Sequence, residues 1–128
     1  MTKKEHAARL RADTTVHYNC AQAVLVPYAR EARLTEEQAC AIALDFGRGM
    51  GCGAMCGAVT GAMMVLGALG QPQEKRLELL RYFRGETGAV NCAELLRAAM
   101  ERGEEQKAHC DAMVAICMDY LADTTGKE

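Results

Sequence analysis

Apolar positions along this chain recur at helical spacing, and no long strand-type alternation appears. Residues 3–12 are charged and helix-prone, and Thr14, Thr15 and Val16 interrupt them. A second helix is predicted from Cys20 to about Glu31, with Ala23, Val24, Val26 and Pro27 in its first two turns. Pro27 should kink it or press it against a neighbour. The stretch LTEEQACAIALDF, 34–46, puts Ala39, Ile42, Ala43 and Phe46 on one face. Thr35 is its N-cap, with Gln38 at the capping-box position. Between Arg48 and Glu74 there is no charge. Glycines at 47, 49, 51 and 53 alternate there, which reads as a loop. An apolar helix should then run from about Cys56 to Leu69, with Gly70 as its C-cap and Pro72 opening the next. That next helix is expected to reach Phe83 and to break at RGETG, 84–88. Helices at 92–101 and 106–122 complete the pattern. The expected fold is one compact all-α domain over 1–128, of five to seven helices, with 56–69 buried at its centre.

The uncharged stretch raises the question of a membrane span. A span needs ~20 mostly apolar residues, and here only 56–69 are helical in pattern, the rest being glycine loop. Gly57 and Gly61 form a G-x-x-x-G step that also allows close packing in a crowded core. No membrane span is therefore expected. A helix this apolar needs cover on every side, and a second copy of the chain, as a homodimer, is one source of it.

Composition changes the picture in two ways. The 128 residues are 50% hydrophobic and 25% charged, with a formal net charge of −2. No basic run or interleaved aromatics support nucleic-acid binding. The opening MTKKEHAARLRAD lacks the apolar core of a secretory signal, so a reducing cytoplasmic setting is expected. There, seven cysteines, an odd number, suggest metal or redox chemistry more than a disulfide framework.

The cysteines are not equivalent. NCAQ at 19–22 and NCAE at 91–94 repeat one phrase, an Asn N-cap with Gln or Glu three residues on. Cys20 and Cys92 then open helices, where unpaired N–H groups and the helix dipole favour a thiolate. Cys56 stands at the junction of glycine loop and apolar helix, a third such position. Cys110 lies on a face with Met113, Val114, Cys117 and Leu121. Cys117 is two turns further, about 10 Å along the axis, and reads as core, as does Cys40. Cys52 precedes Cys56 by four residues, a spacing less diagnostic than C-x-x-C. His6, His17 and His109 read as isolated surface or capping residues. The eight methionines are spaced as core, and no Walker loop, dinucleotide fingerprint or Ser/His/Asp order is present.

Together, YNCAQAV at 18–24, GMGCGAMCGAVTGAMMVLG at 49–67, NCAEL at 91–95 and Cys110 resemble the C_GCAxxG_C_C family of small redox-active proteins. The C-G-A-x-x-G signature corresponds to Cys56-Gly57-Ala58-Val59-Thr60-Gly61, and the other signature cysteines to Cys20, Cys92 and Cys110. Family members often carry a basic residue where this chain has Cys52. The resemblance implies a four-cysteine site, and an electron-transfer or transporter-linked protein partner.

Three functions compete. In thiol–disulfide or electron-transfer chemistry, Cys20 or Cys56 would attack as a lowered-pKa thiolate and a neighbour would resolve. In a metal site, Cys20, Cys56, Cys92 and Cys110, with Cys52 as an extra ligand, would hold zinc or an iron–sulfur cluster. In a non-enzymatic helical adaptor the cysteines would be buried core.

Overall fold

The computed structural model describes residues 1–128 and contains seven α-helices: α1 (Lys3–Ala12), α2 (Cys20–Leu25), α3 (Glu36–Ala43), α4 (Gly57–Ala68), α5 (Glu74–Thr87), α6 (Cys92–Glu101) and α7 (Gln106–Thr125). Short 3-10 turns follow α2 at Val26–Tyr28 and α3 at Leu44–Phe46. The only strand-like pairing is a single antiparallel bridge between Met55 and Asn91. The architecture is the all-α bundle expected, and no helix is long and apolar enough to cross a membrane.

Three helix boundaries differ from the pattern. The helix opened by Cys20 stops at Leu25 and tightens into a 3-10 turn whose first turn contains Pro27, rather than continuing to Glu31. Proline lacks an N–H and crowds the preceding turn, so the α-helix ends instead of bending. In the other direction, α5 runs through Arg84, Gly85 and Glu86 to Thr87 and ends only at left-handed Gly88. An internal glycine lowers helix stability by about 1 kcal/mol, which packing of Phe83 and Leu79 in the core outweighs. The helix ending the chain likewise reaches Thr125, three residues past the expected stop.

Helices α2 and α4 form the centre. All six residues of α2 are buried. The first three turns of α4 are buried through Gly57, Ala58, Val59, Gly61, Ala62, Val65 and Leu66, while Gly67 and Ala68 emerge into solvent. The two helices approach at backbone distance. A Cβ on Gly61 would lie 2.8 Å from the Ala21 carbonyl oxygen, and one on Gly57 would lie 3.0 Å from that of Phe46 and 3.3 Å from Cys20 Cβ. The small-residue step in the sequence is thus the seat of α4 on α2. Helix α7 covers the pair with Met113, Val114, Cys117, Met118 and Leu121.

Polar groups fix the periphery. Asn19 caps α2 in a complete capping box with Gln22. Gln22 Nε2 goes on to donate to the Cys40 carbonyl at 3.0 Å, tying α2 to α3. Arg11, nearly buried, joins α1 to α7 by donating from Nε to Asp111 Oδ1 at 2.8 Å, and holds the Tyr18 carbonyl through Nη1 at 2.7 Å. Thr35 and Gln38 form the expected capping box of α3, but Ile42, placed on its apolar face by the pattern, is 48% exposed.

The seat of α4 makes opposite forecasts for two glycines of one helix. Gly61→Val should lower unfolding free energy by about 2 kcal/mol, the usual range for forcing atoms into a packed core. Nothing lies within 4 Å of a Cβ added at exposed Gly67. Gly67→Ala should therefore raise stability by up to about 1 kcal/mol, by relieving the entropic disadvantage of glycine. Urea unfolding of both variants measures the contrast.

Candidate functional site

The positions of four cysteines follow from three local devices. The first is the α2–α4 contact, which sets Cys20, at the first position of α2, beside the start of α4, where Cys56 is the N-cap residue. The second is the isolated bridge. The Cys56 N–H donates to the Val90 carbonyl at 2.9 Å and the Cys92 N–H to the Ala54 carbonyl at 2.6 Å. This pair of bonds lays the starts of α4 and α6 side by side. Asn91 caps α6 by accepting from the Glu94 N–H at 3.0 Å, but it takes part in the bridge rather than in a reciprocal capping box. The third is α7, anchored by Arg11–Asp111 one residue beyond Cys110.

Cys20, Cys56, Cys92 and Cys110 all line one cavity of about 550 Å³, within the range of small-molecule sites. Its apolar wall includes Leu95, Leu96 and Met113, and its polar lining includes Arg11, Arg48, His17, Lys107 and His109. The glycine loop contributes Gly51 and Gly53 to the rim. That loop has an unusual backbone: Arg48, Gly49, Met50 and Gly51 all have positive φ, between 54° and 73°. A left-handed conformation costs a non-glycine residue about 1–2 kcal/mol, so Arg48 and Met50 are strained. The loop is also wedged in place. A Cβ on Gly47 would lie 2.6 Å from Asn19 Cβ, and one on Gly53 would lie 3.0 Å from Ala93 Cβ.

The remaining cysteines stand apart. Cys117 is fully buried and Cys40 partly buried against the core. Cys52 is exposed, donates to the Gly49 carbonyl of its own loop at 3.4 Å, and does not line the cavity. No group of three or more His, Cys, Asp or Glu side chains is arranged to hold a metal ion. The residues present therefore do not form a ready ligand set for zinc or a cluster.

Protonation separates the four thiols. Cys110 is brought down to about 7 from an ordinary 9.0, chiefly by a hydrogen bond from the Cys20 thiol, with the Arg11 and Arg48 charges adding to it against burial. Cys20 moves the other way, because it supplies that hydrogen bond and is buried. Burial pushes Cys56 up to about 11, although the Ala58 and Val59 N–H groups at the start of α4 favour its thiolate. Burial also raises Cys92, helped by the Cys110 charge and opposed by Arg48. The expectation that Cys20 or Cys56 would be the lowered thiol is thus corrected. Helix starts do lie at these sulfurs, but removing them from water outweighs the dipole. The lowered thiol is Cys110, which is not at a helix end.

Three cavity residues, Arg11, Arg48 and His109, carry no signal of their place in the sequence. Arg11 and Arg48 are visible only through the fold. Burial opposes the charge of Arg11, but Asp111 and the nearby Cys20 thiol keep its pKa above the ordinary value. His109, read as a surface residue, is 4% exposed, makes no hydrogen bond through its ring within the protein, and has a pKa lowered by burial. His17 is exposed, as expected, but stands at the cavity rim.

Fold and cavity together define an all-α protein that gathers four cysteines, each from a different helix or helix start, at one opening. The chain belongs to the C_GCAxxG_C_C family: a family model described as "Putative redox-active protein (C_GCAxxG_C_C)" matches residues 18–124. No curated protein and no solved structure matches it.

The contrast among the thiols gives a direct forecast. Alkylation of the folded, reduced protein by a small haloacetamide should show one cavity cysteine, Cys110, whose rate rises with pH around a midpoint near 7. Thiolate is the reactive form, so the rate grows as pH passes that midpoint and levels off above it. Cys20→Ala removes the hydrogen-bond donor and should move the midpoint upward toward the ordinary value. Peptide mapping of the label against pH gives both curves.

Proposed function

We propose that the chain carries out thiol–disulfide redox chemistry in which the Cys110 thiolate attacks and Cys20 resolves. The observation that carries this reading is the shared lining: Cys20 and Cys110 open on one cavity of about 550 Å³, large enough for a small molecule, and their pKa values move in opposite directions there. A thiol that is half-buried, near neutral in pKa and paired with a protonated partner has the properties of an attacking group with a resolving neighbour. Cys110 on a small disulfide forms a mixed disulfide, and Cys20 then attacks the Cys110 sulfur. Cys56 and Cys92, whose helix starts are drawn together by the bridge, line the same cavity but take no part in this exchange. The adaptor reading is disfavoured because the lowest-pKa thiol faces a cavity rather than the core. The metal reading has no assembled ligand set in its favour.

Reduced folded protein treated with an excess of hydroxyethyl disulfide should lose about two hydrogens in mass, and peptide mapping should place the new bond between Cys20 and Cys110. Cys20→Ser should instead accumulate the mixed disulfide on Cys110. Thiols that react only after unfolding, or a bond formed first at Cys40 or Cys117, would sink the proposal.

A further inference from the structure

The redox reading leaves the oxidant unnamed, and the charges around the cavity narrow it. The chain carries a net charge of −2, yet the cavity is lined by Arg11, Arg48 and Lys107 against the single carboxylate of Asp13. These charges differ in availability. Arg11 and Lys107 share Asp111, at 2.8 Å each, so together they leave one net positive charge. Asp13 Oδ1 is occupied by the Thr15 and Val16 N–H groups at 2.8 and 3.0 Å. Arg48 has no ion pair and no side-chain hydrogen bond within the protein. Its charge nonetheless acts on Cys92 and on Cys110.

Arg48 is also where the backbone is least comfortable, at φ 54° and ψ 39°, in the run of left-handed residues that forms the rim. Such strain persists only where the surroundings enforce it, and here Gly47 against Asn19 and Gly53 against Ala93 do so. A free guanidinium held at the mouth of a thiol-lined cavity offers planar, forked donors to a carboxylate or phosphate. Buried His109, with its ring unpartnered in the protein, adds a further polar group to the same lining.

We propose that the substrate of this cavity is a low-molecular-weight disulfide bearing carboxylate or phosphate groups, oriented by Arg48 so that its sulfurs meet Cys110. This rests on the redox reading above. The step balances as follows. The Cys110 thiolate attacks one sulfur of R–S–S–R, giving Cys110–S–S–R and expelling R–S⁻. The Cys20 thiol gives its proton to that leaving thiolate, and its sulfur attacks Cys110 Sγ. The Cys20–Cys110 disulfide forms and a second R–S⁻ leaves. Two protein thiols are oxidised, one small disulfide is reduced to two thiols, and the charge is unchanged.

The test compares three small disulfides of differing charge on the reduced, full-length protein: dithiodiglycolate (dianionic), hydroxyethyl disulfide (neutral) and cystamine (dicationic). Each rate is divided by that of the same disulfide with a small free thiol, which removes differences in leaving group. Every reaction uses the same Cys110 thiolate, so ratios among them are insensitive to how much of it is ionised. The dianion should be favoured over the neutral compound by about fivefold, the upper range of an exposed ion pair. Added salt should shrink that preference in the unaltered protein. Arg48→Ala should bring the ratio toward one, and Arg48→Lys should restore part of it. A flat or inverted order, or a ratio that Arg48→Ala leaves unchanged, overturns the proposal while the redox reading stands. Failure of all three disulfides to oxidise Cys110 and Cys20 in folded protein overturns both. Replacing the carboxylates of the dianionic probe by phosphates then tells which anion the site prefers.

Discussion

The backbone contact between α2 and α4 is the constraint on which the site depends. At Gly61 the two helices leave no room for a side chain, since the Ala21 carbonyl is 2.8 Å from where a Cβ would be. At Gly57 the same contact sets the start of α4 against Cys20. Because α2 is short and wholly buried, it has no freedom to adjust once seated. Everything downstream inherits this position. Asn19, capping α2, donates to the Leu44 carbonyl at 2.9 Å and so fixes the turn from which the glycine loop departs. The loop returns to Met55, whose bridge to Asn91 then sets α6. A backbone contact in the core thus governs the placement of three of the four cavity cysteines.

Within that frame, a competition between solvent and local dipoles decides which thiol is reactive. Cys20, Cys56 and Cys92 all stand at helix starts, where backbone N–H groups stabilise negative charge. Burial opposes each of them, and at Cys56 it prevails even over two favourable backbone hydrogen bonds. Cys110 is half-buried, receives the Cys20 hydrogen bond and feels two arginines. Cys110 is thus lowered and its neighbour Cys20 raised. That polarity gives the proposed chemistry its direction: the more open sulfur attacks, and the deeper one closes the bond.

Much of this was legible in the sequence for identifiable reasons. Helix starts were, because Asn19, Thr35 and Asn91 announce themselves by cap chemistry within four residues. The grouping of Cys20, Cys56, Cys92 and Cys110 came from the family resemblance, and they do line one cavity. What stayed hidden depended on distant partners. Pro27 signalled a disturbance but not that the helix would end there and tighten into a 3-10 turn. The surface reading of His109 failed because its burial is set by neighbours remote in sequence. The expected acidity of Cys20 failed because a sequence shows the dipole but neither the Cys110 neighbour nor the depth. Arg48 looked like the last charge before an apolar stretch, and only the loop's return turns it toward the thiols.

Seven cysteines in one small chain pose a problem of selectivity, and depth answers it. Cys117 sits fully buried with its pKa raised by burial, so neither contact nor ionisation is open to it. Cys40 receives the Gln22 amide at 3.3 Å and packs on the core, away from the cavity. Cys52 is exposed on the glycine loop, bonded to the Gly49 carbonyl, and does not line the cavity. A molecule that enters the opening therefore meets the four cavity cysteines and neither Cys40 nor Cys117. Cys110 shares that space with Cys20, Cys56 and Cys92. In the proposed chemistry, the environment that suppresses Cys20 as a first attacker keeps it in reserve as the second one, because a resolving thiol acts on a bond already held beside it and has no need to compete for substrate in solution.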